Sequence, residues 1–178
     1  MGSRFFLIAF LFTVFVAHSQ ENYKLSENSA LTISGTSTVH DWTVKANNMQ
    51  GTMSYVDGIK DLKFQVTAAD IKSERGAAMD KKMHGALKAE EHPVISFAFE
   101  KIDKTDGGAI KGKLTIAGTV KSIDLKSEIL PAGNGYNIKG SKEIILQDFG
   151  MEPPTAMFGQ IVVGDKVIVN YDLFFVKQ

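Results

Sequence analysis

The sequence predicts a mainly β protein, built as an antiparallel eight-stranded β-barrel with one helix inserted about mid-chain. Apolar and polar residues alternate with period two in several segments, as at Ile95, Phe97 and Phe99. This alternation is typical of strands with one buried face and one solvated face. Short turn sequences such as Asp57-Gly58 separate the segments, and regularly spaced strands joined in this way indicate an antiparallel barrel or sandwich. A barrel is preferred because it leaves no unpaired strand edge.

The N-terminal segment predicts a secretory signal peptide. An unbroken apolar block, FFLIAFLFTVFVA, follows Arg4, and Ala17 and Ser19 occupy the small-residue positions that signal peptidase inspects. The block is too short to span a membrane, which takes ~20 residues; an uncleaved N-terminal anchor is the alternative. We therefore expect residues 1–19 to be removed, and residues 20–178 to form one domain without stable membrane insertion.

The composition restricts the chemistry and the partners. The chain has 20 basic and 20 acidic residues, so removal of Arg4 leaves a net charge of −1, which argues against nucleic acid or an acidic membrane surface as the main partner. There are no cysteines, which excludes disulfides, thiol nucleophiles, cysteine-ligated metals and a cysteine for a lipid anchor. The expected location is therefore periplasmic or secreted.

The strand pattern covers most of the remaining chain. Each expected strand combines an alternating apolar set with a flanking turn sequence rich in Gly, Asp or Asn. We expect strands over residues 30–36, 38–46, 49–56, 60–69, 94–103, 109–119, 121–130 and 136–146, with 165–177 as a ninth or closing strand.

One segment, residues 77–91, interrupts the strand pattern and predicts the helix. It is rich in helix formers and lacks β-branched residues. Met79, Met83 and Leu87 recur every four residues and form one apolar stripe. Pro93 ends the segment, because the residue before a proline avoids the helical region.

The stretch 147–160 predicts an irregular loop, since Pro153-Pro154 prevents regular strand pairing. It carries several large apolar residues, more than an ordinary solvated loop. One interpretation is a loop that packs over one end of the barrel. The other is a lid or portal for an apolar ligand. The apolar residues concerned are Phe149, Met151, Met157 and Phe158.

Several stretches, taken in order, resemble one known family. They are Ser37–Trp42 (STVHDW), Leu62–Ile71 (LKFQVTAADI), Met79–Phe97 with its HPVISF ending, Gly112–Lys121 (GKLTIAGTVK) and Asp148–Met151 (DFGM). Together these resemble the YceI-like, polyisoprenoid-binding family of exported proteins. The resemblance implies a lipocalin-like, eight-stranded barrel that holds a long isoprenoid or a similar apolar chain. Two stretches depart from the family pattern: Met79–Met83 replaces a common Asp-x-His-Leu, and His92 stands where an aromatic residue is common.

The predicted ligand site is the inward face of the barrel together with the helix and the irregular loop. Aliphatic and aromatic inward faces suit a hydrocarbon guest, and methionines adapt to a variable one. For each residue an ordinary core role is the alternative, and for Trp42 a barrel plug and a ligand-contacting wall are both open. The cavity candidates are Trp42, Phe64, Val66, Met79, Met83, Leu87, Phe97, Phe99, Leu114, Ile116, Phe149, Met157 and Phe158.

No catalytic or metal-binding motif is predicted. His84 and His92 would lie ~12 Å apart along a continuous helix, too far for one metal ion, and neighbouring His40 and Asp41 point to opposite faces of a strand. We expect a carrier or sequestering protein rather than an enzyme, with no cofactor beyond a bound isoprenoid or other lipid. The alternatives are an envelope enzyme or metal-binding protein that uses Asp80, His84 or His40, and a structural or stress protein with a filled barrel. A homodimer is left open.

Overall fold

Thirteen strands and one α-helix form the described part of the chain. The computed structural model describes residues 21–178, so the predicted signal peptide lies outside the described residues. All strand pairings are antiparallel, and the predicted mainly β class with a single helix is confirmed. Between residues 21 and 178, no helix has both the length and the apolarity that a bilayer span requires.

The elements follow one another with short connections, and two single turns of 3₁₀ helix lie at Ala68–Asp70 and Gln147–Phe149. The order is β1 (Glu21–Leu25), β2 (Ala30–Ser37), β3 (Trp42–Ala46), β4 (Met49–Tyr55), β5 (Ile59–Thr67), β6 (Ile71–Ser73), α1 (Ala77–Ala86), β7 (Val94–Asp103), β8 (Ala109–Ile116), β9 (Thr119–Leu125), β10 (Ser127–Ala132), β11 (Gly135–Ile145), β12 (Thr155–Ala156) and β13 (Ile161–Lys177).

The strand count differs from the expected eight because bends divide long passages of chain. β1 and β2 form one bent passage, as do β3 with β4 and β9 with β10, the last pair separated by Lys126 alone. With β5, β7, β8, β11 and β13 this makes eight long passages, besides the short β6 and β12. The sequence missed β1, and it treated the 17-residue β13 as an optional strand although β13 pairs with β1, β2, β11 and β12.

Three expected boundaries were wrong for local reasons. The strand expected from residue 38 begins at Trp42, because Ser37 and His40 close a tight turn through a backbone hydrogen bond of 3.0 Å. The strand expected to reach residue 119 ends at Ile116, where Ala117 turns the chain at a φ of 48°. The helix expected to reach residue 91 ends at Ala86, and Lys88 then adopts a φ of 51°, which stops helical propagation.

The passages pair in a ring. The β9–β10 passage pairs with β8 through its first half and with β11 through its second half, so the pairing order returns to its starting point. Along the first half, β9 and β11 are not hydrogen-bonded to each other, which leaves a seam in the wall. Lys142 Nζ bridges this seam by donating to the Asp124 carbonyl at 2.9 Å, and the 3₁₀ turn Gln147–Phe149 packs over it.

The two ends of the barrel differ. At one, which we call the tyrosine end, Tyr136 stacks on Tyr55 with ring centroids 4.0 Å apart and meets Tyr23 edge-on at 5.4 Å. Phe175 is fully buried in the main core. At the other, the helix end, lie α1, the β2–β3 turn and the β12–β13 turn. A hydrogen bond from the Thr38 amide to the Val162 carbonyl (3.0 Å) joins the β2–β3 turn to the start of β13, beside the β12–β13 turn.

Candidate functional site

A cavity of about 300 Å³ lies inside the ring of strands. Its wall comes from the inward faces of most strands and from one side of α1, and it is almost wholly apolar. The period-two alternation of the strands places these side chains inside, because successive residues of a strand point to opposite faces. Aliphatic residues that line it include Leu31, Ile33, Val44, Leu62, Ile71, Ile95, Ile110, Ile123, Leu125, Ile138, Ile144, Val163, Val167, Val169 and Leu173.

The interior is hollow towards the helix end and packed towards the tyrosine end. Ile110 and Ile138 line the deep part of the cavity and are 0% and 1% exposed. Ile33, Ile95 and Leu114 also line it, nearer the helix end, yet each is only partly buried. Inward aliphatic side chains of a filled barrel would be buried on all sides. The accessible ones therefore mark a lumen with room for a guest.

Most of the predicted cavity residues do line this lumen. Their spacing in the sequence placed them on inward faces of strands or on the apolar stripe of the helix. Whether they contact a ligand stays a prediction. The candidates that line the lumen are Trp42, Phe64, Val66, Met79, Met83, Leu87, Phe97, Leu114 and Ile116.

Four predicted candidates do not line the lumen. Phe99 packs into the main core, where the register between β7 and β8 shifts just after it. Phe149 is 3% exposed and belongs to a second apolar cluster with Ile116 and Ile144, which fills the seam between β9 and β11. Met157 and Phe158 are 64% and 108% exposed, because they form the outward tip of the β12–β13 turn.

Trp42 forms part of the wall at the helix end. It lies opposite Gly35 in the β2–β3 pairing, where a Cβ would overlap the indole ring, so only glycine lets the indole pack against β2. The indole N–H donates to the Thr36 carbonyl at 3.0 Å, which satisfies its one donor. The predicted inward face of His40, Trp42 and Val44 is the face that lines the lumen.

Helix α1 covers the helix end of the lumen and is held by its polar side. The Asp80 carboxylate accepts a hydrogen bond from the Ser73 amide at 2.7 Å, and His84 Nε2 bonds to the Ile71 carbonyl oxygen at 2.8 Å. Both partners belong to β6. Although Met79 and Met83 face the lumen, no residue of α1 is buried. Met83 in the helix and Leu87 just after it pack against the core without becoming buried, so the inner side of the stripe is only partly packed.

A polar rim that the sequence did not reveal surrounds the opening. His40 and Arg75 are hydrogen-bonded to each other there, and Ser37 and Ser73 lie beside them. Lys82 Nζ donates to the Thr155 carbonyl at 2.8 Å and ties α1 to β12. These residues come from loops that are distant in the sequence, so no spacing pattern could predict that they lie together. By contrast, Leu31 and Ile33 alternate visibly on β2 and were overlooked.

The side chains considered for an enzyme or metal site all form hydrogen bonds with other parts of the chain. Asp80 and His84 each bond to the backbone of β6 rather than to each other, and His40 bonds to Arg75. Over residues 21–178 no group of three His, Cys, Asp or Glu side chains lies close enough to hold a metal ion.

Two tyrosine side chains, one in the lumen and one at the tyrosine end, have raised pKa values. Tyr171 lines it, and burial raises the pKa of its phenol although a hydrogen bond from or to Ser127 at 2.7 Å opposes the shift. Burial likewise raises the pKa of Tyr55 at the tyrosine end. Both groups therefore stay uncharged at neutral pH, which suits an apolar interior.

Solved structures with the same fold have low sequence identity to this chain. BcnA of Burkholderia cenocepacia is 16% identical with a TM-score of 0.69, covering 82% of this chain and 95% of that one. A domain of Saccharophagus degradans described as polyisoprenoid binding is 12% identical with a TM-score of 0.74, covering 90% and 100%. The YceI protein of Campylobacter jejuni is 21% identical with a TM-score of 0.62, covering 76% and 84%.

The comparison with curated proteins gives no significant match. The family model described as the YceI-like domain matches residues 13–175, which include all but the last strand residues of the barrel and all of the lumen-lining residues. The resemblance inferred from the ordered motifs is confirmed, and the chain belongs to the YceI-like domain family.

Proposed function

We propose that this protein binds the apolar chain of a lipid, of polyisoprenoid or fatty-acyl type, inside the lumen, and that it acts after export as a carrier or sequestering protein. The observation that carries the proposal is the incomplete burial of α1. Its stripe of Met79, Met83 and Leu87 faces a hollow apolar lumen while no helix residue is buried. Met83 and Leu87 contact the core but stay partly exposed, and a hydrocarbon chain in the lumen would complete the packing of the stripe.

The energetics favour a long guest. Each methylene removed from water contributes ~0.8 kcal/mol, whereas binding costs several kcal/mol in lost motion. The burial of a chain of many carbons contributes more free energy than this cost, whereas the burial of a small apolar molecule does not. The rim at the helix end, with Arg75, His40 and Lys82, suits the polar end of such a lipid. The Saccharophagus degradans domain with the same fold is described as polyisoprenoid binding, which supports the same ligand class.

Binding rather than catalysis fits the polar residues. Asp80 and His84 are engaged with the backbone of β6, and no Asp or Glu side chain among residues 21–178 lines the lumen. The apolar block at residues 5–17 and the small residues Ala17 and Ser19 support export. Export, in turn, fits a carrier that works in the periplasm or outside the cell.

The test is native mass spectrometry of the protein expressed from the full chain and purified without added lipid. We expect a chain beginning at Gln20 that carries a lipid, which organic solvent releases. Leu114→Phe and Leu125→Phe place bulk in the lumen, and we expect the double variant to lose the lipid. The matched control is Leu130→Phe, the same change at an exposed position on β10 that is 51% exposed and lies outside the cavity.

The stripped protein allows a titration with a long-chain prenol or a fatty acid. Trp42 is the only tryptophan and lies in the wall, so a guest in the lumen changes its fluorescence. Saturable binding that the double variant loses and Leu130→Phe keeps supports the proposal. Absence of lipid in the purified protein, together with no saturable change at Trp42, contradicts it.

A further inference from the structure

We propose that the β12–β13 turn is a membrane-docking tip, which inserts Met157 and Phe158 into the surface of a lipid bilayer and so places the opening of the lumen against the membrane. This inference rests on the proposed binding of a lipid chain. The two residues, which we call the apolar tip, are the two most exposed large apolar side chains among residues 21–178, at 64% and 108% exposure.

The apolar tip is held outward at a backbone cost. Met157 and Phe158 have φ values of 51° and 55°, in the left-handed region that side chains other than glycine rarely adopt. The turn is nevertheless fixed, with backbone hydrogen bonds from Gly159 to Ala156 and from Gln160 to Met157. Glycine and asparagine adopt these φ values more readily, and turns are dominated by small or polar residues, so an exposed Met-Phe pair is unusual at this position.

The apolar tip adjoins the opening of the lumen. Thr155 and Ala156 on one side of the turn, and Ile161 and Val163 on the other, line the cavity. The β2–β3 turn is bonded to the same hairpin. Other exposed apolar residues lie at this end too, in turns or at strand starts: Val39, Val94, Val120 and Val162.

A bilayer fits this surface better than a protein does. The tip is a protrusion of two exposed side chains, and a phenylalanine buries at most ~150–250 Å², far less than the ~800 Å² per partner of a stable protein interface. A bilayer surface covers a small apolar protrusion without a shaped counterpart. At the opening Lys82 bonds to the Thr155 carbonyl and Arg75 to His40, and within residues 21–178 neither forms an ion pair with a carboxylate. Their positive charges can therefore still attract lipid phosphates.

The test is flotation of the purified protein with vesicles of phosphatidylethanolamine and phosphatidylglycerol. We expect the wild type to float with the vesicles and the double variant Met157→Ser, Phe158→Ser to partition at least about tenfold more weakly. The matched control is Leu130→Ser, which removes an apolar residue that is 51% exposed on β10, away from the helix end. We expect it to float like the wild type.

Three results would overturn the proposal: no flotation of the wild type, equal flotation of the tip variant, or a dimer in sedimentation that the tip variant dissociates. The last would make the tip a contact between two copies. Titration of the stripped variants with a dispersed prenol separates this proposal from the preceding one. A tip variant that still binds the prenol but does not float supports docking at the tip, and a Leu114→Phe, Leu125→Phe protein that floats without lipid shows that docking survives a failure of lumen binding.

Discussion

The two ends of the barrel are built from the same strands but are packed differently. At the tyrosine end, Tyr136 contacts both Tyr23 and Tyr55, and Phe175 is fully buried. At the helix end, α1 has no buried residue and the lumen behind it is open. The difference indicates a division of roles, in which one end supplies the stability that allows the other to remain unfilled.

Truncation of one apolar side chain at each end should give the largest difference in unfolding free energy between the two ends. Phe175→Ala removes a fully buried ring and should cost about 3–5 kcal/mol of unfolding free energy. Met83→Ala, at a partly buried position of α1 that faces the lumen, should cost less than about 1 kcal/mol in the lipid-free protein and should weaken lipid binding. Urea unfolding of the stripped variants measures both. Equal costs would mean that the helix end is packed as firmly as the tyrosine end.

The tyrosine end should also make the fold sensitive to alkaline pH. The hydrogen bond to Glu21 and burial raise the pKa of Tyr23, and burial raises the pKa of Tyr55. A raised folded pKa favours the neutral phenol in the fold, so this stability is present below the unfolded value of about 10 and is lost as the pH rises above it.

We therefore expect the urea midpoint to be steady between neutral pH and pH ~9 and to fall above pH ~10, together with the appearance of phenolate absorbance. In the Tyr55→Phe variant the urea midpoint should fall less steeply with pH, because the substitution removes one of the phenols whose pKa is raised. Phenolate that forms at the ordinary pKa while the midpoint stays unchanged would show that the tyrosine end does not hold these phenols neutral.

Weaker attachment of α1 to β6 should have a small effect on the free energy of unfolding and a clear effect on the rate of lipid exchange. His84→Ala removes the bond to the Ile71 carbonyl at 2.8 Å and Asp80→Asn weakens the bond from the Ser73 amide. Each should cost about 0.5–1.5 kcal/mol, and lipid should leave the lumen faster because α1 opens more readily. Stopped-flow fluorescence of Trp42 measures the release rate. An unchanged rate in both variants would exclude α1 as the cover of the lumen.

The sequence predicted the features that depend on local periodicity. Alternation in β5, β7 and β8 placed Phe64, Phe97 and Leu114 inside the lumen, and the four-residue spacing of Met79 and Met83 found the inner stripe of the helix. Such patterns need only the geometry of one element. The strand β13 was underestimated because two of its partners, β1 and β2, lie at the other end of the chain.

Features that depend on contacts between segments distant in the sequence were not predicted. Arg75 and His40 meet at the rim only because the β2–β3 turn and the chain before α1 lie side by side. Phe149 was expected in the cavity and fills the seam, since nothing local reveals that β9 and β11 separate. Phe158 was expected to pack over the barrel or act as a portal, and only its positive φ, which the sequence does not display, turns it outward.

The central claim is that a hydrocarbon chain lies in the lumen with its polar end at the helix end. The most direct measurement is NMR paramagnetic broadening by fatty acids that carry a spin label either near the carboxyl group or near the chain terminus. We expect the first label to broaden the methyl signals of Met79 and Met83 and the second to broaden those of Ile110 and Ile138, which line the deep, fully buried part of the cavity. Broadening confined to outward-facing residues with both labels would contradict the claim.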